Sequence, residues 1–579
     1  MWKMLFKKYW ISIILAPIFM TGEVVADLLQ PYYMNRIIDE GVLGISSSGV
    51  GDTSLVMSLG LRMIIIVLLG VLSAVITGIF AHSCGQLFGN DLRKKCFHNV
   101  MTLSFAQIQD IGESSLTTRL LNDISQIQQL VRMSISAFVR TFILFAGGII
   151  CMLRLDIHFG LIVLLVLPVI SFLIVVFMRQ SNRIFGVLQN RIDNINKLVQ
   201  ENLMGARVVK AFVREKYEQE RFKTENEKLV DSQLQALLIF AKLTPLINIV
   251  MNVAVVLIIM EGGIRVRAGG ITPGTVIAAI TYITQILNAV LALNMIFQTV
   301  SRGSACAKRI QEILDMKPDI VGGDIKEEAT YEPGRIEFKN VSFAYPDTSE
   351  GMVLDDISFS VDSGETVGIL GSTGSGKSSL VQLIPRFWDI KRGKILIDGI
   401  DIKNYSLESL RSKVSIVFQN SEIFSESFED NIKWGNRTAD ESSVRDAAKT
   451  AQAIDFIEDR ENGFKTMISQ NGTSISGGQK QRIAISRGIL KKGEILIMDD
   501  STSALDFRTE RKLLDSLNEM YPDMTKVIVA QRITSIINAD RILVMDKGRI
   551  IGQGRHEELL KNNKIYLDIY NSQLQSGGI

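Results

Sequence analysis

The sequence predicts an α-helical membrane domain with six spanning helices, followed by an α/β phosphate-loop domain. Three observations predict it. The first half of the chain holds six long apolar stretches, and the second half carries a glycine-rich loop, Gly371 to Ser378, between a strand pattern and a helix pattern. The composition, 47% hydrophobic with a mean hydropathy of +0.22, is too apolar for a wholly soluble chain of 579 residues.

Composition also excludes some functions. With 63 basic and 61 acidic residues the formal charge is +2, which gives no reason to expect a nucleic-acid partner. Cys84, Cys96, Cys151 and Cys306 lack metal-ligand spacing and read as free thiols. The first apolar stretch runs past Pro31 with no small-residue cleavage site after it, so no cleavable signal peptide is expected.

A helix needs about 20 apolar residues to cross the hydrocarbon core. Stretches of that length lie near Tyr9 to Met34, Leu55 to Phe80, Ser134 to Leu155, Phe159 to Met178, Leu237 to Ile264 and Ile271 to Val300. Their connections alternate in charge. Lys3, Lys7 and Lys8 precede the first span, Arg93, Lys94 and Lys95 open the second connection, and Arg179, Arg183, Arg191, Arg207, Lys210 and Arg214 crowd the fourth. The first connection carries Asp39, Glu40 and Asp52 without a base. The positive-inside bias therefore places both termini and the two long connections in the cytoplasm, against the dissent of Arg265 and Arg267 on the last outer turn. The long connections, Asn90 to Leu130 and Gln180 to Gln235, repeat apolar residues at helical spacing and break at Gly112 and Gly205.

Polar residues inside spans are costly and so invite a role. Glu23 and Asp27 share one helix face at i,i+4, and each carboxylate costs roughly 2.5 to 3.5 kcal/mol near the bilayer centre. In the last span Thr281, Thr284, Gln285 and Asn288 also fall on one face. They are expected to face a neighbouring helix or a polar path for substrate, with Glu23, Asp27, Gln285 and Asn288 as its candidate residues.

Residues 1–316 are thus the expected membrane domain. Prolines, glycines and charges from Lys317 to Gly334 read as a linker, and residues 335–579 as an α/β domain. There the strand Thr366 to Leu370 enters Gly371, Ser372, Thr373, Gly374, Ser375, Gly376, Lys377 and Ser378, and a helix begins at Ser379. Such a loop closes backbone N–H groups on phosphates, its lysine reaches the β- and γ-phosphates, and its final hydroxyl ligates Mg²⁺. Asp499 ends the apolar strand Ile495 to Met498, as expected of a second metal-holding carboxylate.

Further motifs follow in order: Phe418-Gln419, then Ile475-Ser476-Gly477-Gly478-Gln479 before a basic helix, then Ser503 to Asp506 after the Asp499 strand. Together they resemble an ATP-binding cassette, and the six spans resemble the membrane half of a cassette exporter, over essentially the whole chain. The resemblance implies ATP and Mg²⁺ as cofactors. It implies that Tyr345 stacks on adenine, that Gln419 touches Mg²⁺, and that Ser476, Gly477, Gly478 and Gln479 cap the γ-phosphate of ATP held by a second cassette. It also implies coupling helices near Ile111 to Leu116 and Gly205 to Lys210, the second docking on the opposite subunit.

Two catalytic positions depart from the hydrolysing pattern. Asp500 stands where such cassettes carry glutamate, and Gln531 where they carry histidine; Gln470 is a milder departure from glutamate. The missing methylene costs roughly 1 Å of reach toward the attacking water. Glutamine cannot become cationic beside the γ-phosphate, and the only histidine after the linker is His556. The pattern resembles the degenerate-site half of a bacterial heterodimeric multidrug exporter in the plasma membrane. Its expected partners are a non-identical half-transporter, the lipid bilayer and small amphipathic substrates. A slowly hydrolysing homodimeric exporter, or an ATP-gated channel or sensor, would also fit the motifs.

Overall fold

Long runs of Leu, Ile, Val and Met build helices far longer than a bilayer requires. A computed structural model describes residues 1–45, 51–326, 333–346 and 351–575. The chain divides into two units, Met1–Asn99 with Ser114–Asp315, and Val100–Glu113 with Met316–Ile579. The helices up to Asp315 are α1 (Trp2–Arg36), α2 (Thr53–Thr102), α3 (Phe105–Ile111), α4 (Glu113–Thr118), α5 (Ile124–Ile135), α6 (Ala137–Leu155), α7 (Ile157–Met204), α8 (Ala206–Ala211), α9 (Glu215–Arg267) and α10 (Pro273–Asp315).

Six segments of the first unit are long and apolar enough to cross a membrane, ending with Pro245–Arg267 and Pro273–Asp315. At 1.5 Å per residue, α2, α7 and α9 reach about 70 to 80 Å, more than twice a hydrocarbon core of about 30 Å. On α2 the exposed residues Leu61, Ile64, Leu68, Leu72, Val75 and Ile79 recur at helical spacing, an apolar face suited to lipid. α7 packs along α9, and α10 lies against α1, α5, α6 and α9. Phe159, Ile258, Ile283 and Ile286 are fully buried between them.

One of the two dissenting arginines, Arg265, has a carboxylate partner. Arg265 donates to Asp156 Oδ1 at 2.5 Å, and the same carboxylate caps α7 by accepting from His158 N at 2.9 Å. Its charge is therefore balanced by a carboxylate at the ends of the helices.

Three short helices, α3, α4 and α8, lie in the long connections. α8 starts directly after Gly205. In the first connection the expected segment Ile111 to Leu116 spans the turn at Gly112, with α4 (Glu113–Thr118) after that turn and α3 (Phe105–Ile111) before it. Ser104 starts α3 with a capping box, accepting from Gln107 N at 3.3 Å while its own N–H reaches Gln107 Oε1 at 3.1 Å. Gly112, at φ 82°, ends it, and Leu116 falls on α4. This segment belongs to the second unit, where the Phe105 ring sits edge-on to Phe387 with centroids 5.0 Å apart and Gln107 Nε2 donates to Lys317 O at 2.8 Å.

Of the expected linker, residues 327–332 lie outside the described residues. Its first part is anchored rather than free. Gly323 N donates to Tyr405 O at 2.7 Å, and Arg386 Nη1 donates to Val321 O at 3.0 Å.

The second unit contains strands β1 (Ile336–Phe343), β2 (Leu354–Val361), β3 (Thr366–Gly371), β4 (Arg392–Ile397), β5 (Ile400–Asp401), β6 (Val414–Val417), β7 (Ile495–Asp499), β8 (Thr525–Val529), β9 (Arg541–Asp546) and β10 (Arg549–Gly554). One sheet is antiparallel, in the order β2-β1-β4-β5; the other runs β10-β9-β3-β8-β7-β6. In the second sheet β9, β3, β8, β7 and β6 are parallel and β10 is an antiparallel edge. All five residues of β7 are buried, as a parallel strand covered on both faces requires. The chain therefore has the expected fold class, a helical membrane domain followed by an α/β phosphate-loop domain.

Candidate nucleotide site

Strand register brings the candidate residues to one edge. Ile369 pairs with Val529 across β3 and β8, and Asp499 pairs with the same Val529 across β7 and β8. The carboxyl ends of three neighbouring strands thus present the glycine-rich loop, Gln531, and Asp499 with Asp500. Open α/β sheets bind ligands at this edge.

The loop turns into the helix α11 (Lys377–Gln382) at Gly376, whose φ of 96° excludes a side chain without strain. Lys377 Nζ donates to Gly371 O and Ser372 O, each at 2.8 Å. Ser378 Oγ donates to Asp499 Oδ1 at 2.9 Å. A cavity of about 340 Å³ opens over these residues and is lined by Thr373, Gly374, Lys377, Ser378, Ser379, Gln419, Asp500 and Gln531. Burial pulls the Lys377 ammonium below its usual range, against the pull of Asp500 and Asp499. It pushes both carboxyls up: Asp499 against its bond from Ser378, and Asp500 against Lys377 and two amide donors.

The residues present fit a nucleotide and a divalent cation. The Ser375 hydroxyl is buried without a hydrogen-bond partner among the described residues, and the Lys377 ammonium is met only by backbone carbonyls in its hydrogen bonds. Ser378 Oγ and Asp499 Oδ1 bring two hard oxygens to one point. That suits Mg²⁺, which takes one or two protein ligands beside phosphate and water.

Asp500 joins three distant segments. Its backbone stands at φ 48°, a left-handed conformation that aspartate tolerates better than most residues. Its Oδ2 accepts from Gln419 Nε2 at 2.9 Å and from Gln531 Nε2 at 2.8 Å. Both lone pairs of that oxygen are engaged, which leaves Oδ1 as the oxygen that could meet a water. The mutual bonding of these three residues, separated by 81 and 31 positions, had no signal in the sequence beyond their separate identities.

The remaining candidates divide. Tyr345 O–H lies 2.9 Å from Ser379 Oγ, and its ring meets Trp388 edge-on at 4.8 Å, beside the end of the loop. Ser476 caps the helix Gly477–Leu490 in a capping box with Gln479. Ser476 and Gly477 are exposed and do not line the cavity, while Gln481 Oε1 accepts from Ala504 N at 3.0 Å and ties this helix to the turn after β7. Gln470 is exposed on a short turn. His556 bonds Tyr566 O–H at 2.7 Å and does not line the cavity.

In the membrane unit the acidic pair already has a cation. Arg140 Nε lies 3.2 Å from Glu23 Oε1, and Arg140 Nη2 lies 3.1 Å from Asp27 Oδ2. Gln285 Nε2 donates to Asp27 O at 3.2 Å, Asn288 is exposed, and Thr281 and Thr284 spend their hydroxyls on Ile277 O and Ile280 O of their own helix. The sequence reading overlooked Arg140, a charge in the first third of its own apolar stretch. Removing it as Arg140→Met is expected to cost about 2 to 3 kcal/mol, somewhat below the cost for a fully buried pair because its side chain is 47% exposed. Thermal unfolding in detergent measures this: the midpoint should fall in the single variant and largely recover when Glu23→Gln and Asp27→Asn are added. An unchanged midpoint in Arg140→Met would refute the neutralising role.

Comparison with known proteins places this geometry. Residues 13–290 match the family model of the ABC transporter transmembrane region, and residues 354–503 match that of the ABC transporter domain. An uncharacterised ABC transporter ATP-binding protein of Bacillus subtilis, YfiB, is 35% identical over 567 residues, covering 97% of this chain and 96% of that protein. An ATP-dependent lipid A-core flippase of Desulfotalea psychrophila is 36% identical over 493 residues, covering 84% of this chain and 85% of the flippase. A solved structure of a bacterial Atm1-family ABC exporter with ATP bound superposes with a TM-score of 0.79 at 25% identity, covering 98% of this chain and 99% of that one.

Proposed function

Because the chain belongs to the ABC transporters, with the membrane region and the ATP-hydrolysing domain of an exporter fused in one polypeptide, we propose that it is one half of a heterodimeric exporter of amphipathic, multidrug-type compounds and that its own nucleotide site retains ATP better than it cuts it. The observation that carries this reading is the Asp500 carboxylate, one oxygen of which is shared by the Gln419 and Gln531 amides.

In this reading Lys377 leaves the carbonyls of Gly371 and Ser372 to meet the phosphates, Ser378 and Asp499 hold the cation with Gln419 near it, and Tyr345 stacks on adenine. ATP with Mg²⁺ supplies a phosphoryl group whose negative charge must be neutralised as it transfers. Asp500, one methylene short and tied to two amides, orients water poorly; Gln531 adds no positive charge. Ser476 and Gly477, exposed at the start of their helix, complete with Gly478 and Gln479 the site of a non-identical partner that carries glutamate and histidine at the positions matching Asp500 and Gln531. The chain sits in a bacterial plasma membrane with its termini and nucleotide domain in the cytoplasm.

The path for substrate runs past Glu23, Asp27 and Arg140, with Gln285 and Asn288 nearby. Such a group suits a compound with a polar or charged head and an apolar body, which agrees with relatives named as ATP-dependent lipid A-core flippases. Purified alone and placed in nanodiscs, the chain should bind ATP with Mg²⁺ and turn it over little. Co-expression with its partner should restore ATPase activity. Brisk turnover by the chain alone would overturn the heterodimer in favour of a homodimeric exporter.

A further inference from the structure

Gln531 is itself held from an unexpected direction. The helix Lys564–Gln575 packs on the nucleotide domain through Tyr566, which is fully buried, and Tyr570. Gln573 follows on the same face at i, i+4, i+7 spacing. Its amide bridges the two sides of the turn after β8. Gln573 Nε2 donates to Gln531 O at 2.8 Å, and Ile533 N donates to Gln573 Oε1 at 2.9 Å. A single side chain thus fixes the backbone on both sides of Arg532, and through it the direction in which the Gln531 amide leaves the turn toward Asp500.

We propose that Gln573 is a positioning residue of the nucleotide site: by clamping the turn it keeps Gln531 on the Asp500 carboxylate, and it thereby lengthens the time that ATP stays bound. This rests on the reading of the cavity as an ATP site. The turn has other fixed points, among them Arg532 Nη1 on Leu505 O at 3.4 Å and the fully buried Ile533, but neither holds the Gln531 carbonyl. Ala530 N donates to Ile369 O at 3.1 Å just before it and Ser535 Oγ donates to Glu510 at 2.5 Å just after it. Between these, Gln573 supplies a donor and an acceptor to opposite sides of the turn. Its helix is in turn seated by Tyr566, whose N–H donates to Asn563 Oδ1 at 2.9 Å and whose hydroxyl pairs with His556 Nδ1 at 2.7 Å.

The test uses the full-length chain in nanodiscs, loaded with radiolabelled ATP and Mg²⁺ and chased with unlabelled ATP. Gln573→Met keeps the length and loses both hydrogen bonds; Gln573→Ala is the second variant. Each is expected to release ATP about three- to tenfold faster than the unaltered protein, the size that one or two modest hydrogen bonds allow, with a thermal midpoint close to that of the parent. The double variant Gln573→Met with Gln531→Ala should release ATP no faster than Gln531→Ala alone, because the clamp acts through Gln531. Parental release rates in both Gln573 variants, or a full additional effect in the double variant, would overturn the proposal while leaving the ATP site in place. Failure of the unaltered protein to bind ATP would overturn the ATP-site reading and this inference with it.

Discussion

Changing Asp500 to glutamate together with Gln531 to histidine is expected to raise hydrolysis at this chain's site by about 10- to 100-fold. The argument starts from one oxygen. Asp500 Oδ2 accepts from Gln419 at 2.9 Å and from Gln531 at 2.8 Å, so one of the two carboxylate oxygens is already shared by two amides. A glutamate carries its carboxylate about 1 Å further into the cavity, and a displacement of that size at a reacting centre is worth up to about 100-fold. Histidine removes one of the two donors and adds a ring that becomes cationic beside the γ-phosphate. Glutamine has no titration between pH 5 and 8, so with the partner's own site disabled the residual rate should show no histidine limb; the Gln531→His variant should then gain one, its rate falling as pH rises through the imidazole pKa. Either change alone should do less than half of this on a logarithmic scale, since the two positions share a hydrogen bond. ATPase assays of the assembled transporter with one, both or neither change decide it. An unchanged rate in the double variant would mean that the limit lies outside these two side chains.

How much of this was legible in the sequence depends on whether a residue's meaning is local. The loop Gly371 to Ser378 and its strand could be read because backbone geometry, phosphate chemistry and residue type all lie within a dozen consecutive positions. The spans could be read because lipid imposes length and polarity on each helix separately. What escaped were partnerships across the fold. Glu23 and Asp27 were visible as costly charges, but Arg140, 113 positions beyond Asp27, becomes their counterion only once α1 and α6 pack. Gln419, Asp500 and Gln531 could be named individually, while their convergence on one oxygen depends on the order β3-β8-β7 in the sheet. The turn at Gly112 could be read because a glycine's freedom is local, and the start signal of the helix before it, Ser104 with Gln107, is equally local.

The effect that best separates a division of labour from a merely slow enzyme is an inequality between two substitutions in this chain. Gly477→Asp should abolish most ATPase activity of the assembled transporter, by on the order of 100-fold or more, whereas Lys377→Ala should lower it only a few-fold. Gly477 is exposed at the start of its helix, and a β-carbon there would meet only the Ala504 methyl at 3.9 Å, an ordinary contact. An aspartate therefore fits without disturbing the fold, and a negative charge in the first turn of a helix favours the helix. Its harm would fall on the phosphate of ATP held by the opposing cassette, where like charges meet at close range. Lys377→Ala removes a buried ammonium whose charge is already disfavoured, so the fold should survive, and the loss is confined to this chain's own nucleotide. If two identical sites shared the work, both substitutions would damage every site and the two losses would be alike. ATPase measurements on each variant, with nucleotide binding measured in parallel, give the ratio. A ratio near one would favour the homodimer, and a large one would place hydrolysis at the site that this chain completes for its partner.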